Sequence, residues 1–328
     1  MKKRSLGRTG FSTSAVGFGA WAIGASWGEV SEDDAMAALH ASVDAGVNFF
    51  DTADVYGDGR SERLIARLRR ERPGEEIFVA TKAGRRLDPH VDAGYTAANL
   101  ESFINRSREN LEMETLDLVQ LHCPPTDSYY RPELFEAMDD FVERGLMRHY
   151  GVSVERVEEA LKAIEYSGVA SVQIILNAFR LRPTELFLRE AARRDIAVIA
   201  RVPLASGLLS GKMSAGSQFA GDDHRNFNRQ GEEFDVGETF SGIPFDVGLE
   251  AVEELRGLVP DGERMAHFAL RWILSWDEVS TVIPGGKSAE QARANAAAGD
   301  GERLSAETMA AVEEIYERLI RPHVHCRW

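Results

Sequence analysis

The sequence predicts a (β/α)8 barrel, and three observations carry that reading. Eight short, nearly continuous apolar runs rich in β-branched residues recur along the chain. Nearly every run is followed by a stretch of helical periodicity. Several runs end on Lys, His or Arg, residues that turns do not select.

The first element comes before any of these runs. KKRSLGRTGFSTSA reads as a small hairpin turning at Arg8-Thr9-Gly10, placed to plug the bottom of the barrel. The runs are AVGFG (15–19), VNFF (47–50), IFVAT (77–81), LDLVQL (116–121), HYGVS (149–153), VQIIL (172–176), IAVIA (196–200) and VSTVI (279–283). Strands so uniformly apolar are buried on both faces. Between them Ser31 and Asp34 open a helix carrying Met36, Leu39 and Val43, which Gly46 stops. Leu100, Phe103 and Leu111 stripe a second helix, and Leu161 with Ile164 a third. Ser305 and Thr308 open a terminal one carrying Met309, Val312, Tyr316 and Leu319. The stretch 213–247 is polar with no sustained periodicity, and reads as extra helices or a long loop near the C-terminal face. A doubly wound sheet is the rival fold. Its GxGxxG fingerprint is missing, because Gly24 comes too late after Gly17 and Gly19. We expect one barrel domain over 1–328.

Composition narrows the function classes. The 328 residues include 44% apolar residues and carry a formal net charge of -15. That supports a large core and argues against a nucleic-acid partner, which needs a basic face. Two cysteines form no disulfide framework, and MKKRSLGRTG has no apolar stretch behind its basic residues. No run has the length to cross a bilayer. The expected location is cytoplasmic.

In a (β/α)8 barrel the site lies at the C-terminal ends of the strands. The second run is followed by Asp51, the third by Lys82, the fourth by His122; the fifth ends in Ser153, the sixth carries Gln173, and Arg201 follows the seventh. Tyr56 comes five residues after Asp51. A phenol is a poor acid, but a neighbouring ammonium draws its pKa down, and a carboxylate behind that ammonium keeps it charged. His122 adds a donor able to polarise a carbonyl. Together these groups suit protonation of a carbonyl oxygen while hydride arrives at carbon.

At these residues the chain resembles the aldo-keto reductases, in the branch related to potassium-channel β-subunits. The segments are LGRTG (6–10), GVNFFDTADVYGDGRSE (46–62), ATK (80–82), LDLVQLH (116–122), GVS (151–153), VPLASGLLSGK (202–212) and IPGGKSAEQARAN (283–295). The resemblance implies a catalytic tetrad of Asp51, Tyr56, Lys82 and His122, and NADP(H) extended across the barrel mouth. It implies that Ser153 and Gln173 hold the nicotinamide carboxamide and that Arg201 stands where many members stack an aromatic ring. Pro203, Leu204, Ser206, Gly207, Leu209 and Lys212 match the loop along the pyrophosphate; Gly285, Lys287, Gln291 and Asn295 match the adenosine end. A cation at Lys287 favours the 2′-phosphate of NADPH over NADH. Val154 stands where many members have Asn, Arg201 replaces the aromatic, and Ala66 replaces a helical glycine.

Other residues admit blander readings. Taken singly, Asp51 is a turn residue and His122 a structural histidine. Cys123 adjoins His122, so strand alternation points it to the opposite face, as a small buried hydrophobe. His323, His325 and Cys326 in the tail (321–328) could bind a metal, but read better as a flexible surface tail or a wall of the substrate pocket. No metal site is expected. Trp21 is assigned to the substrate pocket, and Trp27 less directly. The leading function is reduction of a small-molecule aldehyde or ketone to an alcohol. Two rivals remain: an NADP(H)-holding redox sensor with slow or vestigial turnover, and a lyase or isomerase using Lys82 as a Schiff base. The sequence leaves the substrate and oligomeric state open.

Overall fold

A computed structural model describes residues 1–24, 30–221 and 223–328; Trp27 lies outside the described residues. Strands β1 (Lys3–Ser5) and β2 (Ser12–Ser14) form the expected antiparallel hairpin. Eight parallel strands follow: β3 (Phe18–Gly19), β4 (Phe49–Asp51), β5 (Phe78–Ala83), β6 (Leu116–His122), β7 (Met147–Ser153), β8 (Val169–Ile175), β9 (Ala197–Arg201) and β10 (Val279–Val282), each beside the next in chain order. The ring closes between its ends. Gly17 N donates to Val282 O at 2.8 Å, Gly19 N to Pro284 O at 3.0 Å, and Val282 N to Ala15 O at 3.0 Å.

Burial explains why the runs were so uniformly apolar. Every residue of β6 and of β8 is buried, one face toward the barrel axis and the other toward the helices outside. Those helices include Glu32–Asp44, Arg60–Glu71, Ala97–Leu111 and Pro132–Glu143. The Ser31 hydroxyl caps the first of them, accepting from Asp34 N at 3.0 Å. Ser305 caps Ala306–Ile315 in the same way through Thr308 N at 3.2 Å.

The hairpin closes the N-terminal end of the barrel. Leu6 is fully buried among Phe49, Ala80, Leu118, Ala197, Ile199 and Ile283, a small core inside the strands. Burying a leucine side chain contributes about 1.5–3 kcal/mol. The turn holds its shape because Gly10 adopts φ 78°, and Arg8 N donates to Asp195 O at 2.9 Å.

At the opposite end, the stretch expected to hold extra helices or a long loop contains a short helix, His224–Phe227, and two tight turns, Val236–Glu238 and Phe240–Gly242. A long helix, Phe245–Arg256, begins before the expected end of the loop. Its phenylalanines form two clusters. Phe240 lies 5.8 Å from Phe219 and 5.1 Å from Phe245, with the Arg229 guanidinium over all three rings. Phe234 instead packs 6.0 Å from Trp21 and 6.0 Å from Phe227. The C-terminal tail is docked, contrary to its reading as a flexible surface tail. His325 meets the Tyr316 hydroxyl at 2.8 Å; Trp328 is buried, its indole donating to Asp235 at 3.1 Å with Arg180 stacked 3.9 Å from its ring. An indole of that size stabilises the chain end more than solvent exposure could.

Candidate active site

The C-terminal ends of the strands open into a cavity of about 1000 Å³. At its floor Lys82, on β5, is fully buried and donates to three oxygens. These are Asp51 Oδ1 at 2.6 Å, the Thr52 carbonyl at 2.8 Å and Tyr56 Oη at 3.3 Å. Asp51 is buried as well, and its other oxygen accepts from Gln173 Nε2 at 2.6 Å and Gln120 Nε2 at 3.3 Å. A buried ion pair is tolerable only when the remaining valences are met in this way.

The charge states follow from these contacts. Burial pulls Lys82 down, yet Asp51 and Tyr56 outweigh it and hold the ammonium above its ordinary pKa. Tyr56, half-buried in the cavity wall, lies above its ordinary value rather than below it. Burial raises it more than Lys82 lowers it, and Asp51 adds to the rise. The expectation of a depressed phenol weighed the cation alone and left out the cost of placing a phenolate in a dry site. His122, at the end of β6, is driven well below the ordinary histidine pKa by burial and by Arg85, Lys82 and Arg201. It is a neutral imidazole, its ring 6.0 Å from that of Tyr56.

Around this floor the structure brings most of the other expected residues together. Ser153 and Gln173 are register partners on β7 and β8, and both line the cavity. Trp21 lines it too, its ring stacked 6.2 Å from Tyr56. Pro203, Leu204, Ser206, Gly207 and Lys212 form one rim, where Ser206 and Gly207 adopt φ 55° and 97°. Ser206 Oγ donates to Glu238 O at 2.9 Å and accepts from Phe240 N at 3.1 Å, pinning the mouth segment to the loop after β9. Leu209 turns its side chain into the main core instead and does not line the cavity. Gly285, Lys287, Gln291 and Asn295 line the far end, with Asn295 Nδ2 donating to Gly285 O at 3.1 Å and Lys287 N to Gln291 Oε1 at 2.8 Å.

Arg201 sits in a charge network that the sequence did not announce. It pairs with Glu238 at 2.6 Å and Glu155 at 3.0 Å, and donates to Val154 O at 2.9 Å. Burial pushes Glu155 up to about 7 against the pull of Arg201. Burial raises Glu238 as well, but Arg201 and Arg85 outweigh it and hold that carboxyl down at about 2. Arg85 and Arg264 also line the cavity, and neither was singled out from the sequence. The one signal for Arg85 was its place two residues beyond the end of β5, the strand that carries Lys82.

Cys123 requires a correction. It is buried, as expected, but it lines the cavity rather than the opposite face. The strand ends at His122, and Cys123 turns into the left-handed region at φ 47°, so alternation no longer governs its direction. Its thiol donates to Ser153 Oγ at 3.5 Å, and burial pushes its pKa up to about 12, so it is not a thiolate nucleophile. Among the described residues the one group of possible metal ligands is Cys123, Glu155 and Glu238. Arg201 already occupies the space between those carboxylates, and the tail histidines do not join them.

The aldo/keto reductase family model matches residues 15–317. Over 316 residues the chain is 28% identical to the uncharacterized oxidoreductase YqkF of Bacillus subtilis (strain 168), spanning 95% of this chain and 96% of that protein. It is likewise 28% identical over 314 residues to a probable voltage-gated potassium channel subunit beta of Arabidopsis thaliana, spanning 92% of each. Among solved structures, the glycerol dehydrogenase AKR11B4 from Gluconobacter oxydans superposes with a TM-score of 0.78 at 27% identity, over 97% of this chain and 96% of that one.

Proposed function

The chain belongs to the aldo/keto reductase family, and from that premise we propose that it is an NADPH-dependent reductase of aldehydes or ketones, with Tyr56 as the proton donor. The observation that carries the reading is the bridge at the cavity floor. One buried ammonium touches a carboxylate at 2.6 Å and a phenol at 3.3 Å, beside a neutral imidazole.

The cavity fits a dinucleotide on its own chemistry. An amide and a hydroxyl, Gln173 and Ser153, face its inner end; Lys212, Arg264 and Lys287 line its outer length, where phosphates need cations. A reduced nicotinamide bound there would supply the hydride for the carbonyl carbon. The remaining work falls to the side chains. Tyr56, kept protonated by its raised pKa, gives its proton to the carbonyl oxygen. Lys82 then stabilises the phenolate left behind, and Asp51 holds Lys82 in place and charged. Neutral His122 orients the carbonyl by hydrogen bonding without competing for the proton. Lys287 at the adenosine end selects the 2′-phosphate.

Likeness to a channel subunit supports a second reading, a redox sensor with slow turnover. Following the near-ultraviolet absorbance of NADPH on adding a panel of carbonyl compounds separates the two. Oxidation through many turnovers supports the enzyme. A single slow turnover supports the sensor, and no oxidation at all removes both.

A further inference from the structure

We propose that Arg85 is a specificity-determining residue that selects short carbonyl substrates bearing a carboxylate. The proposal rests on the reductase reading above and names the substrate class it acts on.

Arg85 lies two residues beyond the end of β5, after a turn at Gly84. That turn needs glycine: φ is 114°, and an added Cβ would stand 2.5 Å from the Tyr95 ring. It delivers Arg85 into the cavity shared by Tyr56 and His122. The neighbouring Arg86 goes elsewhere and pairs with Asp58 at 2.6 Å.

Burial pulls the Arg85 guanidinium down, but surrounding groups including Glu238 and Glu155 outweigh it and hold its pKa raised, so its charge is balanced through space rather than by contact. Among the described residues its guanidinium donates no hydrogen bond, and its nearest carboxylate oxygen is Glu238 Oε1 at 3.9 Å. Glu238 is already gripped by Arg201 at 2.6 Å, and Glu155 is held by the same guanidinium at 3.0 Å. The Arg85 side chain is only 25% exposed, so water satisfies it in part. Arg85 and His122 line the same cavity, and the Arg85 charge helps hold that imidazole neutral.

A planar guanidinium with unused N–H donors, in a half-dry pocket, matches a carboxylate's two oxygens. A hydroxyl accepts from one donor and leaves the rest unmet. The adjoining wall is aromatic, with Phe234 5.6 Å from the guanidinium and Trp21 packed 6.0 Å from Phe234. An acceptor end, an apolar wall and the Tyr56–His122 pair together describe a short aliphatic chain with a carbonyl at one end and a carboxylate at the other.

Two measurements test this. In the first, kcat/KM with NADPH is compared for succinic semialdehyde and butanal in the parent, Arg85→Gln and Arg85→Lys. The parent should prefer the acid by about tenfold or more, the range of a charge-assisted hydrogen bond. The preference should collapse in Arg85→Gln and return in part in Arg85→Lys. A parent that prefers butanal, or an Arg85→Gln variant that keeps the preference, overturns the proposal. The second needs no turnover: calorimetric titration of butyrate and butyramide into the protein with NADP+. Butyrate binding that is lost in Arg85→Gln, with butyramide weaker, supports the assignment. If neither aldehyde is reduced while butyrate still binds through Arg85, the reductase reading falls and the anion site stands. Absence of butyrate binding to the parent overturns the site itself.

Discussion

Removing the Tyr56 hydroxyl separates chemistry from architecture more cleanly than any other change at the cavity floor. In Tyr56→Phe, Lys82 loses its 3.3 Å contact but keeps Asp51 at 2.6 Å and Thr52 O at 2.8 Å, so no buried charge is stranded. The ring keeps its packing against Trp21. Stability should therefore change by no more than a lost hydrogen bond, about 0.5–1.5 kcal/mol, or a few degrees in Tm. The proposed proton donor is gone, however, and general acid catalysis contributes about 10²–10⁴-fold, equivalent to about 3–5 kcal/mol of barrier. Steady-state kinetics should show kcat reduced by that factor with NADPH affinity nearly intact, and urea unfolding should show a curve close to the parent's. A variant that reduces carbonyls at close to the parent rate defeats the assignment of Tyr56. One that unfolds several kcal/mol more easily shows the hydroxyl to be architectural.

Further outcomes can be measured independently. Lys287→Ala should weaken NADPH more than NADH, lowering their affinity ratio about tenfold or more, as loss of a charge-assisted contact implies; equal losses would place Lys287 away from the 2′-phosphate. Burial holds His224 down to about 4 from an ordinary 6.5, against the pull of Asp223. That depressed pKa contributes stability fully present above pH 6.5 and lost as pH falls toward 4, about 3 kcal/mol in all. His224→Asn should flatten part of the acid limb in urea titrations, and an unchanged limb would remove His224 as its source. Hydrogen exchange should show residues 213–247 gaining protection when NADPH binds, because Arg225 and Phe227 line the cavity. Protection confined to the strand ends would make that segment a bystander.

Periodicity located all eight barrel strands because most of their residues are buried on both faces, the condition that makes a run continuously apolar; it missed the start of β7, where Arg148 is exposed. It overshot at the first two. Ala15 and Val16 precede β3, where Ala15 N bonds back to Lys2 O at 2.9 Å, and Asn48 spends its side chain on Ser14 N at 2.6 Å before β4 begins. Asp51, Lys82 and His122 were legible because a strand end fixes where a side chain points. Cys123 misled for the same reason, since alternation was carried one residue past the strand. The network of Arg85, Glu155, Arg201 and Glu238 left no trace in spacing. Its members come from the end of β9, from the loops after β5 and β7, and from a turn in the mouth segment, and ion pairs between such segments follow no period.

The two oxygens of Asp51 face separate tasks: Oδ1 holds the ammonium beneath Tyr56, and Oδ2 accepts from the Gln173 amide. Those partners are proposed to serve different ligands, one the carbonyl and the other the nicotinamide. A substitution at Asp51 therefore cannot report on either alone, and its kinetic phenotype will mix turnover with cofactor affinity. Double-mutant cycles pairing Asp51→Asn with Lys82→Met, and again with Gln173→Ala, should return a coupling energy in each case. Coupling in both cycles would make one carboxylate the joint between the proposed cofactor end and the proposed proton donor.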